Sequence, residues 1–189
     1  MSSRRAFLAA TPLLGLPLLG LGACGFRPVY GPDGEAAGSG VGRNEPRLRD
    51  AMASVRVGII PERNGQLLRR ALQRQLEGSQ PGVQSRYDLE VSLSYVTEIL
   101  GIQTDGLATR VRIIATARWV LVTMSTPREV VDRGSARTMD AYNLPNLQFF
   151  AADASREDME RRLVAELSDR VVLGVAVALR RRIAAQAAT

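Results

Sequence analysis

Residues 87–95 read YDLEVSLSY, with Tyr87, Leu89, Val91, Leu93 and Tyr95 alternating strictly with Asp88, Glu90, Ser92 and Ser94. Successive side chains of a strand point to opposite faces, so this segment has one apolar face and one wet face. A second run answers it. Val111, Ile113, Ala115, Ala117, Trp119 and Leu121 share one parity, opposite Arg110, Arg112, Thr116 and Arg118. A turn near Gln103-Thr104-Asp105-Gly106 joins the two strands into a hairpin. Keeping both apolar sets on one face requires paired residue numbers to sum to an even value, which gathers the polar sets on the other face. A register placing Asp88 or Glu90 opposite Arg118, with Arg110 near Val96 or Glu98, meets this condition and pairs opposite charges.

On the N-terminal side, residues 53–60 (ASVRVGII) alternate as a first strand, with Val55, Val57 and Ile59 on one face and Arg56 on the other, and Pro61 ends it. Asn64 is placed to cap a helix running to about Glu77, with Leu68, Leu72 and Leu76 along one side and Gly78 as the stop. On the C-terminal side, residues 128–137 suit a fourth strand whose poor alternation fits a sheet edge. Met139 to Ala152 read as a loop whose aromatics, Tyr142, Phe149 and Phe150, fold back over the rim of the core. The last element is a long helix capped at Asp153 or Ser155 and reaching about Ile183. Its stripe is Met159, Leu163, Leu167, Val171, Val175 and Leu179, with Glu157, Asp158 and Glu160 early and Arg180 to Arg182 late, as the helix dipole favours. The order β-α-β-β-β-α predicts an α+β two-layer sandwich: a four-stranded, mostly antiparallel sheet with two helices on one face. A single domain over 51–185 accommodates it.

The first 23 residues are of another kind. Arg4 and Arg5 precede an apolar run from Phe7 to Leu21 with no acid, which reads as a secretory signal over 1–23. Pro12, Gly15, Pro17, Gly20 and Gly22 interrupt the run, against a span of about 20 uninterrupted apolar residues. The arginine pair fits both the twin-arginine and the general export route. Leu21-Gly22-Ala23-Cys24 matches the bacterial lipobox, in which the cysteine sulfur is acylated and becomes the first residue. A lone cysteine is more often a buried small hydrophobe. Here position, upstream charge, apolar run and box agree on Cys24 as the lipid attachment site. Residues 24–50, rich in Gly and Pro, then form a lipidated tether.

Composition narrows the chemistry. The chain has no histidine, and its only cysteine is the acylation site, so neither a Ser-His or Cys-His pair nor a His- or Cys-ligated zinc site can be assembled. No G-x-S-x-G, Walker loop or G-x-G-x-x-G is present. A carboxylate pair could still do acid and base work as in glycosidases, but most Asp and Glu residues sit on readable helix and strand surfaces among arginines, so the chain reads as a non-enzyme with no metal and no cofactor. Removing Arg4 and Arg5 from the 25 basic residues leaves 23 against 19 acidic ones, a net +4. An arginine excess in an envelope protein points to phosphate-bearing lipid rather than to nucleic acid. Arg56, Arg110, Arg112 and Arg118, on the polar side of their strands, are the candidate phosphate contacts. The simpler account is that they face water, with Arg118 paired to Asp88 or Glu90.

Short motifs add a resemblance. Cys24-Gly25-Phe26-Arg27-Pro28-Val29-Tyr30-Gly31 after the lipobox, Arg63-Asn64 leading the first helix, Tyr142-Asn143, Phe150-Ala151 and Ser155-Arg156-Glu157-Asp158 together resemble LptE, the lipopolysaccharide-assembly lipoprotein family, in its alphaproteobacterial form. The resemblance implies a sandwich of this kind and an outer-membrane location on the periplasmic or barrel-lumen side. It also implies a role as plug and assembly partner of the LptD β-barrel, supporting lipopolysaccharide transport to the outer leaflet. A polar sheet face suits a polar barrel lumen. The alternative is another envelope lipoprotein, a periplasmic lipid-binding or transport accessory without a barrel partner.

Overall fold

The computed structural model describes residues 45–188 except 79, 105, 146 and 147. The expected signal peptide, Cys24 and the expected tether as far as residue 44 lie outside the described residues. Seven elements follow in order: α1 (Glu45–Ala53), β1 (Val55–Val57), α2 (Arg63–Glu77), β2 (Tyr87–Ile102), β3 (Ala108–Thr123), β4 (Val130–Asn143) and α3 (Phe149–Ala187). The strands lie in the order β1-β2-β3-β4, with β1 parallel to β2 and the other pairs antiparallel. The parallel pair is joined through α2, since a parallel neighbour cannot be reached by a tight turn. The class is the expected α+β, a mostly antiparallel sheet covered by helices.

Hydrophobic periodicity builds the core directly. Along α3 the whole stripe from Met159 through Leu163, Leu167, Val171, Val175 and Leu179 is buried, and Leu68, Leu72 and Leu76 of α2 are buried beside it. They close on Leu89, Ala115, Ala117 and Leu121 from the inner face of the hairpin, also buried. Each fully buried Leu or Val of this set contributes about 1.5–3 kcal/mol relative to exposure. α2 and α3 run side by side in the same direction. Arg63 meets Glu157 and Glu160 near their starts, and Gln75 donates to Ser168 and Asp169 further on.

The edge strand β4 is fastened to α3 by side chains. Arg162 donates to Asp140 at 2.7 Å, Thr138 bonds Glu166, and Arg170 donates to both Glu166 and the Arg137 carbonyl. Near the far end Arg182 meets Glu129 and Arg181 meets Asp132. The Thr138 bond, with Arg170 beside it, holds the Glu166 carboxyl below the usual carboxylate range.

Several boundaries differ from expectation. The segment read as tether into strand is a helix, α1, because Leu48, Ala51 and Met52 bury one face against α3 and α2. The first strand shrinks accordingly to Val55–Val57, and Ile59 is exposed rather than part of a buried face. Strand β4 runs on to Asn143 because Thr138 and Asp140 are held by α3, where a loop from Met139 was expected. α3 starts at Phe149, before the expected caps at Asp153 or Ser155, and its N-cap Gln148 makes no side-chain cap bond. Asn64 lies within α2 and does not cap it; the preceding Glu62 occupies that position. Phe149 and Phe150 do not fold over the core rim. They are 76% and 92% exposed.

The hairpin keeps the expected parity but not the expected register. Arg118 faces Ser92 rather than Asp88 or Glu90, Arg112 faces Glu98, and Arg110 faces Gly101 after a bulge. The turn sets this offset: Gly106 donates to Gln103 with φ +85, a left-handed conformation suited to glycine, and Gln103 donates to Leu107.

Candidate functional site

The sheet face turned away from the helices carries the alternate residues Asp88, Glu90, Ser92, Ser94 and Glu98 of β2 and Arg112, Thr116 and Arg118 of β3. The register adds Arg133, Ser135 and Arg137 of β4, because Val120 faces Arg133, Arg118 faces Ser135 and Thr116 faces Arg137. Directly opposed residues of an antiparallel pair share a face, and the diagonal neighbours lie about 7–8 Å apart. Arg133 and Arg137 are therefore the two diagonal neighbours of Arg118. All three are exposed, and among the described residues none of the three guanidinium groups forms an ion pair. Ser92, Ser94 and Ser135 are exposed around them. The Ser92 and Ser94 hydroxyls reach the Arg118 and Thr116 carbonyls only at 3.5 and 3.4 Å.

The four expected arginines divide into two kinds. Arg56 grips Asp88 with two hydrogen bonds, at 3.0 and 3.3 Å, and Arg128 donates to the same carboxylate at 3.1 Å and to Glu90 at 3.3 Å. Asp88 is buried, and the two cations compensate its charge. Arg112 pairs with Glu98 at 3.3 Å. Arg56 and Arg112 are thus already engaged, whereas Arg110 and Arg118 make no ion pair among the described residues. Arg118 belongs to the cluster, and Arg110 sits apart near the hairpin tip. Sequence reasoning missed Arg133 and Arg137 because β4 alternates poorly; extending the pairing rule from β3 would have placed them.

Beyond this patch the character changes. Ile99, Leu100, Ile102 and Leu107 at the hairpin tip are exposed, as are Phe149 and Phe150 at the start of α3. Leu144 donates to the Thr109 carbonyl at 2.8 Å, which brings the chain entering α3 to the same end of the sheet. Among the described residues no group of His, Cys, Asp or Glu could hold a metal ion, and no helix is long and apolar enough to cross a membrane.

The family model for LptE, described as lipopolysaccharide-assembly, matches residues 52–173 and so takes in α2, the whole sheet and most of α3. The chain belongs to the LptE family. Its fold is shared with a candidate lipoprotein from Caulobacter crescentus CB15, at 24% identity and a TM-score of 0.57, covering 72% of this chain and 97% of the other. A minor lipoprotein from Acinetobacter baumannii follows the same fold at 14% identity and a TM-score of 0.51, covering 66% and 92% respectively. No curated protein matches the chain. Membership in the LptE family assigns the chain to lipopolysaccharide assembly, and the exposed arginine cluster is the part of this LptE-family fold best suited to a polyanionic ligand.

Proposed function

We propose that the chain is an outer-membrane lipoprotein, held to the bilayer through acylated Cys24, that sits in an LptD-type β-barrel as plug and assembly partner. In that position it supports lipopolysaccharide transport into the outer leaflet without catalysing a reaction. The observation that carries this reading is the cluster of Arg118, Arg133 and Arg137 on the sheet face turned away from the helices. Guanidinium groups bind phosphate oxygens bidentately, and lipopolysaccharide is a phosphate-bearing lipid. The arginines and serines that this face carries among its apolar residues also suit the wet interior of a large barrel. The exposed apolar end, with Phe149, Phe150 and the hairpin tip, forms a surface that a partner would cover.

Affinity purification of the tagged protein from detergent-solubilised outer membrane tests the reading. One large barrel should accompany it in equal amount, and depletion of the chain should leave that barrel misassembled and surface lipopolysaccharide reduced. Recovery without a barrel, with lipopolysaccharide display unchanged, would favour a free periplasmic accessory and overturn the proposal. Intact mass of the mature protein tests acylation at Cys24.

A further inference from the structure

On the helix side of the sheet a half-open cleft of about 240 Å³ lies between the starts of α2 and α3. Three of the short motifs singled out in the sequence converge on it from separate elements. Asn64 comes from α2, Tyr142 from β4 and Arg156 from α3; Tyr95, Met159 and Glu160 complete the part of the lining that matters here. The volume lies below the usual 300–1,000 Å³ of drug-sized sites and matches one small ring.

The lining chemistry narrows the occupant. Two tyrosine rings and the Met159 side chain offer apolar surface for a ring face. Arg156 and Glu160 bring one charge of each sign, so the cleft does not favour an anion as the arginine cluster does. Asn64 contributes a second observation: its Oδ1 is buried and has no hydrogen-bond partner among the described residues. A buried acceptor left unpaired costs about 1–3 kcal/mol and calls for a donor, which water or a bound molecule can supply. Tyr95 is half-buried; desolvation pushes its phenol up to about 12, a hydrogen bond with Asn64 works the other way, and the hydroxyl stays a donor at every physiological pH.

We infer that this cleft binds a single uncharged, hydroxyl-rich ring, a pyranose sugar unit, with Asn64 and Tyr95 meeting its hydroxyls. The inference rests on the cleft alone and not on the barrel partnership, which the purification tests separately.

The test uses the full chain in a detergent free of sugar. Methyl glucoside is titrated against it while the Asn64 side-chain amide and the Tyr95 and Tyr142 rings are followed by NMR. Cyclohexanol and inorganic phosphate serve as matched probes. Saturable shifts with the glucoside, absent with the other two, are expected. Tyr95→Phe keeps the ring and Asn64→Ala keeps the helix; each should weaken glucoside binding about tenfold, the loss of one hydrogen bond. No saturable shift with the glucoside, equal binding of cyclohexanol, phosphate binding at the same residues, or unchanged affinity in both folded variants would each overturn the inference.

Discussion

Gly174 of α3 leaves the space that the indole of Trp119 fills: a Cβ at position 174 would stand 2.7 Å from Cζ2 of that ring. A Cβ at Gly134, the residue opposite Trp119 on β4, would stand equally close, at 2.6 Å from the same atom. The chain's only tryptophan is thus held between a strand and a helix that both lack a side chain where it lies, and it is buried. Gly174→Ala should destabilise the fold by about 1–3 kcal/mol through overpacking, after any gain of roughly 1 kcal/mol in helix propensity. Denaturant midpoints followed by far-ultraviolet circular dichroism measure this. Repeating Gly174→Ala in a Trp119→Leu background should abolish most of the penalty, because the obstructing ring is gone.

The core was legible because its periods are clean. Leu68, Leu72 and Leu76, the α3 stripe and the two strands of the hairpin each repeat at the spacing of their element, and burial followed that spacing. What escaped depended on tertiary partners. α1 has only Leu48, Ala51 and Met52 to declare it, after a Gly-rich lead, and it is fixed by packing on α3 and α2 rather than by its own propensity. The end of β4 looked like loop because the groups that hold it, Thr138 and Asp140, are polar and take their partners from α3. Register escaped for a different reason. Parity follows from the pattern alone, but the offset is set by the turn, so Arg118 met Ser92 and the pairing with an acid passed to Arg112. The arginine cluster was half visible, with Arg118 named from its own strand and Arg133 and Arg137 hidden by the weak alternation of β4.

The cluster should behave differently from the paired arginines. Changing Arg118, Arg133 and Arg137 together to Gln should weaken binding of phosphorylated lipopolysaccharide by about tenfold or more and flatten its salt dependence, since charge-assisted bonds are lost. The same change at Arg112 should have a small effect, because that cation is spent on Glu98. Thermal midpoints should barely move for the triple variant, as exposed charges without partners contribute within about 0.5 kcal/mol. Equal losses at Arg112 and in the triple variant would count against a specific phosphate patch.

Asp88 is the acid on this face whose loss should matter for folding. Asp88→Ala leaves Arg56 and Arg128 without their shared carboxylate, and it should cost about 1–3 kcal/mol in a denaturant titration. Arg56→Ala alone should cost less, because Arg128 still compensates the buried charge.

Tyr95 gives the fold a signature at alkaline pH. Its phenol ionises at about 12 against an ordinary value of 10, chiefly because burial disfavours the phenolate. The unfolded chain releases this proton near pH 10 while the native state keeps it, so the native state is the more protonated of the two between these values. Stability contributed by Tyr95 is complete below pH 10 and is lost as pH rises toward 12. Phenolate absorbance should show a titration step near pH 12, and Tyr95→Phe should remove it.

Glu62, immediately before α2, has φ 67 and ψ 165, a region that side chains other than glycine's seldom enter. Such a conformation costs about 1–3 kcal/mol and persists where its surroundings impose it. The neighbours here supply the constraint: Gln66 donates to the Glu62 carbonyl at 3.0 Å, its side chain donates to the Ile60 carbonyl at 2.7 Å, and Ile60 is fully buried. Glu62→Gly relieves the strain but frees the unfolded chain, a loss of roughly 0.5–1 kcal/mol. The net expectation is a gain of about 1 kcal/mol in unfolding free energy, with Glu62→Val, β-branched at positive φ, losing stability instead. Thermal denaturation of the two variants beside the parent checks both signs. A loss with glycine would mean that the carboxylate, not the backbone, is what position 62 requires.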